Sequence, residues 1–171
     1  MVLNEKKEKL CHKLHFFYSM FRIRFGTKSL SQVAMTIVTS ESFYGEFTNG
    51  GFVQYILNES GETAYYTQQA LKNIGARKHA EIFKEIEAIG PEKTIPINYS
   101  ERDAYEEELD PDDLDILESK MYKLYWDNQN EIRDLLYDYI LKNHSILTNL
   151  ICILRIPYGL LHKFKNPDDE N

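Results

Sequence analysis

This chain predicts an all-α fold, a single compact domain of about seven helices, on three observations. Apolar residues recur at spacings of three and four along most of the length, which is the signature of amphipathic helices. Eight glycines and five prolines are few for 171 residues, and most fall between the periodic segments. No stretch alternates apolar and polar residues as a half-buried strand does, and no Asn-Gly turn separates two β-rich runs. The length suits one domain with a sizeable core. The absence of a fixed internal repeat excludes a solenoid.

In order along the chain, Leu10, Leu14, Phe17 and Phe21 predict a helix over about residues 4 to 23, closed near Gly26. Leu30, Val33, Ala34, Ile37 and Val38 open a second, with Ser29 or Ser31 as N-cap, running to about Phe47. Asn49-Gly50-Gly51 breaks the chain, and Phe52, Tyr55 and Ile56 line a short helix that ends near Asn58, before Gly61. A helix over about residues 62 to 74 stops at Gly75 in the left-handed conformation, and the next runs through Ala80, Phe83, Ile86 and Ile89 to Gly90-Pro91. Residues 90 to 98 read as loop. Asp110-Pro111-Asp112-Asp113 is a helix start: Asp110 caps, Pro111 suits the first turn, and two acids face the positive end of the dipole. The stripes Leu114 to Tyr125 and Ile132 to Ile140 then form a helical hairpin joined near residues 128 to 130.

The division this reading gives is a basic helical segment over 1–28, a helical core over 29–143, and an apolar helix with a polar tail over 144–171. Cys11 and Cys152 are the only cysteines, so neither a disulfide framework nor a Cys-x-x-Cys site is present, and a cytoplasmic location is expected. Lysines and glutamates at residues 5 to 9 interrupt any signal-peptide apolar run. The apolar run Ser145 to Leu161 falls short of the ~20 residues of a spanning helix and contains Asn149, Arg155 and Pro157. A helix buried in the core or under a partner is favoured over membrane contact.

The stretch FTNGGFVQYILNESGE, residues 47 to 62, poses the central question. A phosphate cradle would need more glycines and a Lys followed by Ser or Thr. Asn49, Gly50 and Gly51 instead allow a turn between packed helices, which Phe52, Tyr55 and Ile56 plug, and Gln54 is expected to anchor the backbone of this elbow. The string NGGFVQYILNESG followed by ALKNIGA at residues 70 to 76 resembles a family of small helical bacterial proteins, long catalogued as a domain of unknown function, that includes a DNA-mimic protein. The resemblance is carried most clearly by residues 46 to 76, continues to about Asn143, and leaves out the first 28 residues and the apolar tail. It implies an all-α fold with Asn49, Gly50, Gly51, Phe52, Gln54, Tyr55, Asn58 and Gly61 as its structural motif. It also implies an acidic surface that takes the DNA-binding site of a transcription factor.

The sharpest compositional feature is ERDAYEEELDPDDLDILE, residues 101 to 118, which holds ten acids and one arginine, a net charge of −9 in a chain whose total is −7. The acids Glu101, Asp103, Glu106, Glu107, Glu108, Asp110, Asp112, Asp113, Asp115 and Glu118 are the candidate partner-binding residues, with Asp127, Glu131, Asp134 and Asp138 as an extension. Duplex DNA carries one charge per ~1.7 Å of axis and a helix rises ~1.5 Å per residue, so carboxylates on one helix flank can approach phosphate density. Two ordinary readings compete: a solvated face, and pairing with the basic segment 1–28, whose net charge is +5 and which could join the acids of the same chain or of a second copy in a homodimer.

Catalytic signals are poor. Cys11, His12 and His15 could share a helix flank, but no third ligand follows, and no metal or cofactor is assigned. His79, His144 and His162 stand alone, no nucleophile–base arrangement is visible, and acids without an apolar pocket lack the split pKa values that acid–base catalysis needs. Net negative charge argues against direct nucleic-acid binding by the twelve tyrosines. The expected function is therefore non-enzymatic binding of a protein partner, with a ligand pocket or enzymatic role at the elbow as the alternative.

Overall fold

Helix packing in this chain is organised around one long helix that bends. A computed structural model describes residues 2–92, 94–127 and 131–143, the first seven of them by backbone only. Among the described residues there are seven α-helices and no strand: α1 (Val2–Phe25), α2 (Gln32–Leu57), α3 (Thr67–Ile74), α4 (Arg77–Ile89), α5 (Tyr99–Glu107), α6 (Pro111–Asp127) and α7 (Glu131–Asn143). Short 3₁₀ turns at Thr27–Ser29 and Glu59–Tyr66 precede α2 and α3. The predicted all-α class is the observed one. The expected apolar segment 144–171 and the hairpin turn at 128–130 lie outside the described residues.

α2 carries the core. Ser31, not Ser29, is its cap, with its hydroxyl accepting from the Ala34 amide at 3.2 Å. Every residue from Ala34 to Glu41 is buried, because α2 is surrounded by α1, α3, α5, α6 and α7. Such a helix has no polar face of its own. Phe43 stands at the centre, its ring 5.3 Å from that of Tyr55 and 5.5 Å from that of Phe83, both near-perpendicular. α1 adds Leu14, with no exposed surface, together with Cys11 and Tyr18, so the first helix is built into the same core.

Two elements differ from the sequence reading. The segment before α3 is 3₁₀ from Glu59 to Tyr66, and the α-helix starts only at Thr67. Residues 99 to 107, expected only as an acidic stretch, form α5. Its inward stripe is Arg102, Tyr105 and, just beyond the helix, Leu109. An arginine at the head of that stripe hides it from a reading based on apolar spacing. The other starts and stops hold: Asp110 Oδ1 accepts from the amides of Asp112 at 3.0 Å and Asp113 at 3.1 Å, and Gly75 closes α3 at φ 94°.

Candidate functional site: the elbow and the acidic arch

The bend in α2 lies at Gly50 and Gly51, both outside helical φ/ψ, with Gly51 at φ 80°, ψ −168°. That region of backbone space is essentially open to glycine alone. The amide of Phe52, freed by the bend, donates to Glu118 Oε1 at 2.5 Å. Glu118 therefore departs from the other nine acids of its segment: it is half-buried and turned towards the elbow, where burial raises its pKa and the Phe52 N–H lowers it in part. The carboxylate does for the second half of α2 what a capping side chain does for a helix start.

The rest of the motif serves the same joint. Phe52, Tyr55 and Ile56 have no exposed surface, and the Tyr55 hydroxyl is 2.6 Å from Thr67 Oγ1. Gln54 does not anchor backbone as expected. Its amide donates to Glu46 Oε2 at 2.9 Å, and the Asn58 amide reaches the same oxygen at 2.5 Å, so Glu46 ties the two halves of the bend together. A side chain eight residues upstream took the role because the bend folds the second half of α2 back beside it. Asn49 is exposed. A Cβ on Gly61 would stand 2.0 Å from the Ile56 carbonyl oxygen, so only glycine fits this close approach. Phe52, Tyr55 and Ile56 fill the inner side of the elbow.

The acidic stretch is bolted to this elbow by its one arginine. Arg102 is 2% exposed; its Nε donates to the Ile56 carbonyl at 2.5 Å, its Nη1 donates to the Ile97 carbonyl, and its guanidinium lies 5.8 Å from the centre of the Tyr99 ring. Tyr105 adds a longer bond to the Glu87 carbonyl, at 3.4 Å. The arginine charge is thus spent inside. Glu101, Asp103, Glu107, Glu108, Asp110, Asp112, Asp113 and Asp115 are exposed and Glu106 is partly so. Asp127, Asp134 and Asp138 are exposed as well, whereas Glu131 sits 3.8 Å from His79 Nδ1.

Among the described residues, the charged pairs that form join His12 to Glu41, Arg22 to Glu62, His79 to Glu131 and Lys120 to Glu85. None of these employs an acid between Glu101 and Asp115. The α1 candidates are spent elsewhere too: His12 reaches Glu41 at 3.2 Å, His15 bonds Ser42 at 3.2 Å and Ser19 at 3.3 Å, and Cys11 is buried in the core. No group of three or more His, Cys, Asp and Glu among the described residues is placed to hold a metal ion. No helix among them is long and apolar enough to cross a membrane.

The half-buried His15 and the buried Glu87 give the fold a testable pH dependence. Burial first, then the charges of His12 and Arg22, push His15 down from 6.5 to about 4. Burial pushes Glu87 up from 4.5 to about 7 against the opposing charge of Lys72. His15 is held neutral in the fold, so its contribution is lost as pH falls from 6.5 towards 4, where only the unfolded chain gains the proton. Glu87 is held protonated, so its contribution is lost as pH rises from 4.5 towards 7. Glu87→Gln is therefore expected to gain stability over the wild type progressively across pH 4.5 to 7 and to keep a constant advantage above. His15→Asn is expected to show its relative gain in the opposite direction, below pH 6.5. Unfolding midpoints of the three proteins measured at half-unit pH intervals check both signs, and parallel curves would refute them.

The sequence reading assigned no role to Glu46, Arg22 or the buried function of Arg102. The available signal for Arg102 was its place between Tyr99 and Tyr105 at spacing three. For Glu46 and Arg22 no local pattern exists.

No curated protein and no solved structure matches this chain. The family model described as DMP19-like protein matches residues 28–144. That span contains the bent α2, the glycine elbow, Arg102 and the whole acidic stretch. The chain belongs to the DMP19-like protein family.

Proposed function

We propose that this protein binds, without catalysis, the basic DNA-contacting surface of a protein partner, and that the exposed acids of α5 and the start of α6 stand in for DNA phosphates. One observation carries the reading. Eight exposed carboxylates between Glu101 and Asp115 are held on a fixed scaffold, while the only arginine among them is buried and bonded to carbonyls. A solvated face needs no such arrangement. Removing the arginine charge from the surface leaves a field of one sign, which is what attracts a basic partner and sets its orientation. Membership in a family named for a DNA-mimic protein supports the same reading. Ile116, 56% exposed beside Asp115, adds an apolar contact at the edge of the charged face.

The test compares wild type with a variant carrying Asp103, Glu107 and Asp115 changed to Lys, positions that are exposed and do not cap a helix. Immobilised wild type is expected to retain a DNA-binding protein from native lysate at low salt and to release it at high salt or when duplex DNA is added. The variant should retain none of it while unfolding at nearly the same temperature. Retention that survives both the charge reversal and the DNA competitor would refute mimicry.

A further inference from the structure

A second feature, independent of the acidic face, lies where the end of α1 meets the start of α5. The cleft there encloses about 630 Å³, within the range of small-molecule sites. Two of its lining residues are the buried arginines Arg22 and Arg102, 6% and 2% exposed. Arg22 Nη1 donates to the Glu59 carbonyl at 3.2 Å and stands 3.6 Å from Glu62 Oε2, while its buried Nε has no hydrogen-bond partner. A buried N–H without an acceptor is a standing cost that a small shift of the Arg22 side chain towards a ligand oxygen in the cleft would remove. Asn98 and Tyr99 also line the cleft, and the Asn98 side chain leaves the first amides of α5 uncapped. An uncapped helix start beside two guanidinium groups is a donor set suited to an anion.

The other lining residues narrow the choice of anion. Ile23, Ile97 and Tyr99 are 56%, 49% and 58% exposed and give the cleft apolar walls. Glu59 and Glu62 are exposed at the same cleft, so a doubly charged phosphate meets repulsion that a single carboxylate meets only half as strongly. We propose that this cleft binds a small molecule carrying one carboxylate on an apolar or aromatic body, with Arg22 as its principal anchor.

Calorimetric titration of the full chain with phenylacetate, hexanoate, phenethylamine and inorganic phosphate tests it. Both carboxylates are expected to bind, the amine and phosphate not to. Arg22→Gln should weaken the carboxylates by about tenfold or more, the usual consequence of losing a charge-assisted hydrogen bond. Because Arg22 is buried, Tyr99→Ser and Ile97→Ser at exposed positions carry the same test through the apolar wall, with phenylacetate binding expected to weaken in each. Absence of carboxylate binding, equal binding of the amine or of phosphate, or unchanged affinity in the wall variants would overturn the proposal.

Discussion

Arg102→Met is expected to lower the thermal unfolding midpoint by about 10 °C. Burying an apolar side chain in place of a charged one can be neutral or favourable when the whole ion pair goes with it. Here the partners are the carbonyls of Ile56 and Ile97, which stay in place when the guanidinium is gone. The buried Ile56 carbonyl left unpaired costs about 1–3 kcal/mol and the more exposed Ile97 carbonyl less, so the pair amounts to about 3 kcal/mol. For a chain of this length each kcal/mol shifts the midpoint by about 2–4 °C. Arg102→Lys should recover less than half of the loss, since one ammonium does not reproduce the fixed fork of a guanidinium. Thermal melts give the size of the effect, and hydrogen exchange locates it: the amides of α5 should lose protection before those of α3 and α4. A midpoint within a degree of wild type would mean that water satisfies both carbonyls and that the acidic helix is held by Tyr105 and Leu109 instead.

The second large effect is at the elbow. Gly51→Ala places a Cβ on a residue at φ 80°, ψ −168°, a conformation that costs a non-glycine residue about 1–3 kcal/mol. That Cβ would also stand 2.7 Å from Glu118 Oε1, the acceptor of the Phe52 amide. Shifting the carboxylate weakens a charge-assisted bond, so the total loss is expected at about 3–4 kcal/mol. Gly50→Ala is the control. Its φ of −157° lies outside the left-handed region, and the two nearest atoms its Cβ would meet belong to the flexible end of Gln54, with Gln54 Cβ third at 3.1 Å. Its cost should stay near 1 kcal/mol, the loss of the Gln54 contact with Glu46. Urea midpoints for the two alanine variants, interpreted with an unchanged slope, decide the matter. Equal losses at the two glycines would mean that Gly51 is not the hinge.

These expectations bear on function because both residues hold the acidic arch against the core. Arg102 fixes the start of α5 to the last turn of α2, and Glu118 fixes α6 to the bend. A charged surface that floats on its backbone pays ordering entropy when it binds, whereas one held on both sides does not.

Much of this was written locally in the chain. Helix existence followed from three-and-four spacing, and the caps at Ser31 and Asp110 and the stop at Gly75 followed from single residues whose side chains or φ preferences act within a few positions. The Asn49-Gly50-Gly51 break was legible for the same reason, since a glycine pair inside a helical pattern announces a departure from helical backbone. The concentration of acids between 101 and 118 is likewise a property of sequence alone.

What tertiary structure decided was the partner of each polar side chain. Arg102 reads as one charge among ten opposite charges, and nothing within a helical turn of it predicts a bond to a carbonyl 46 residues away. Glu118 reads as the last acid of a run, yet the amide it satisfies exists only because α2 bends 66 residues earlier in the chain. Arg22 reads as part of a basic segment, and only the approach of α1 to Glu59 and Glu62 buries it. Periodicity registers which face of a helix is apolar, because that depends on neighbours three and four residues apart. It carries no record of which distant backbone group a buried charge will meet, because that depends on how separate helices cross.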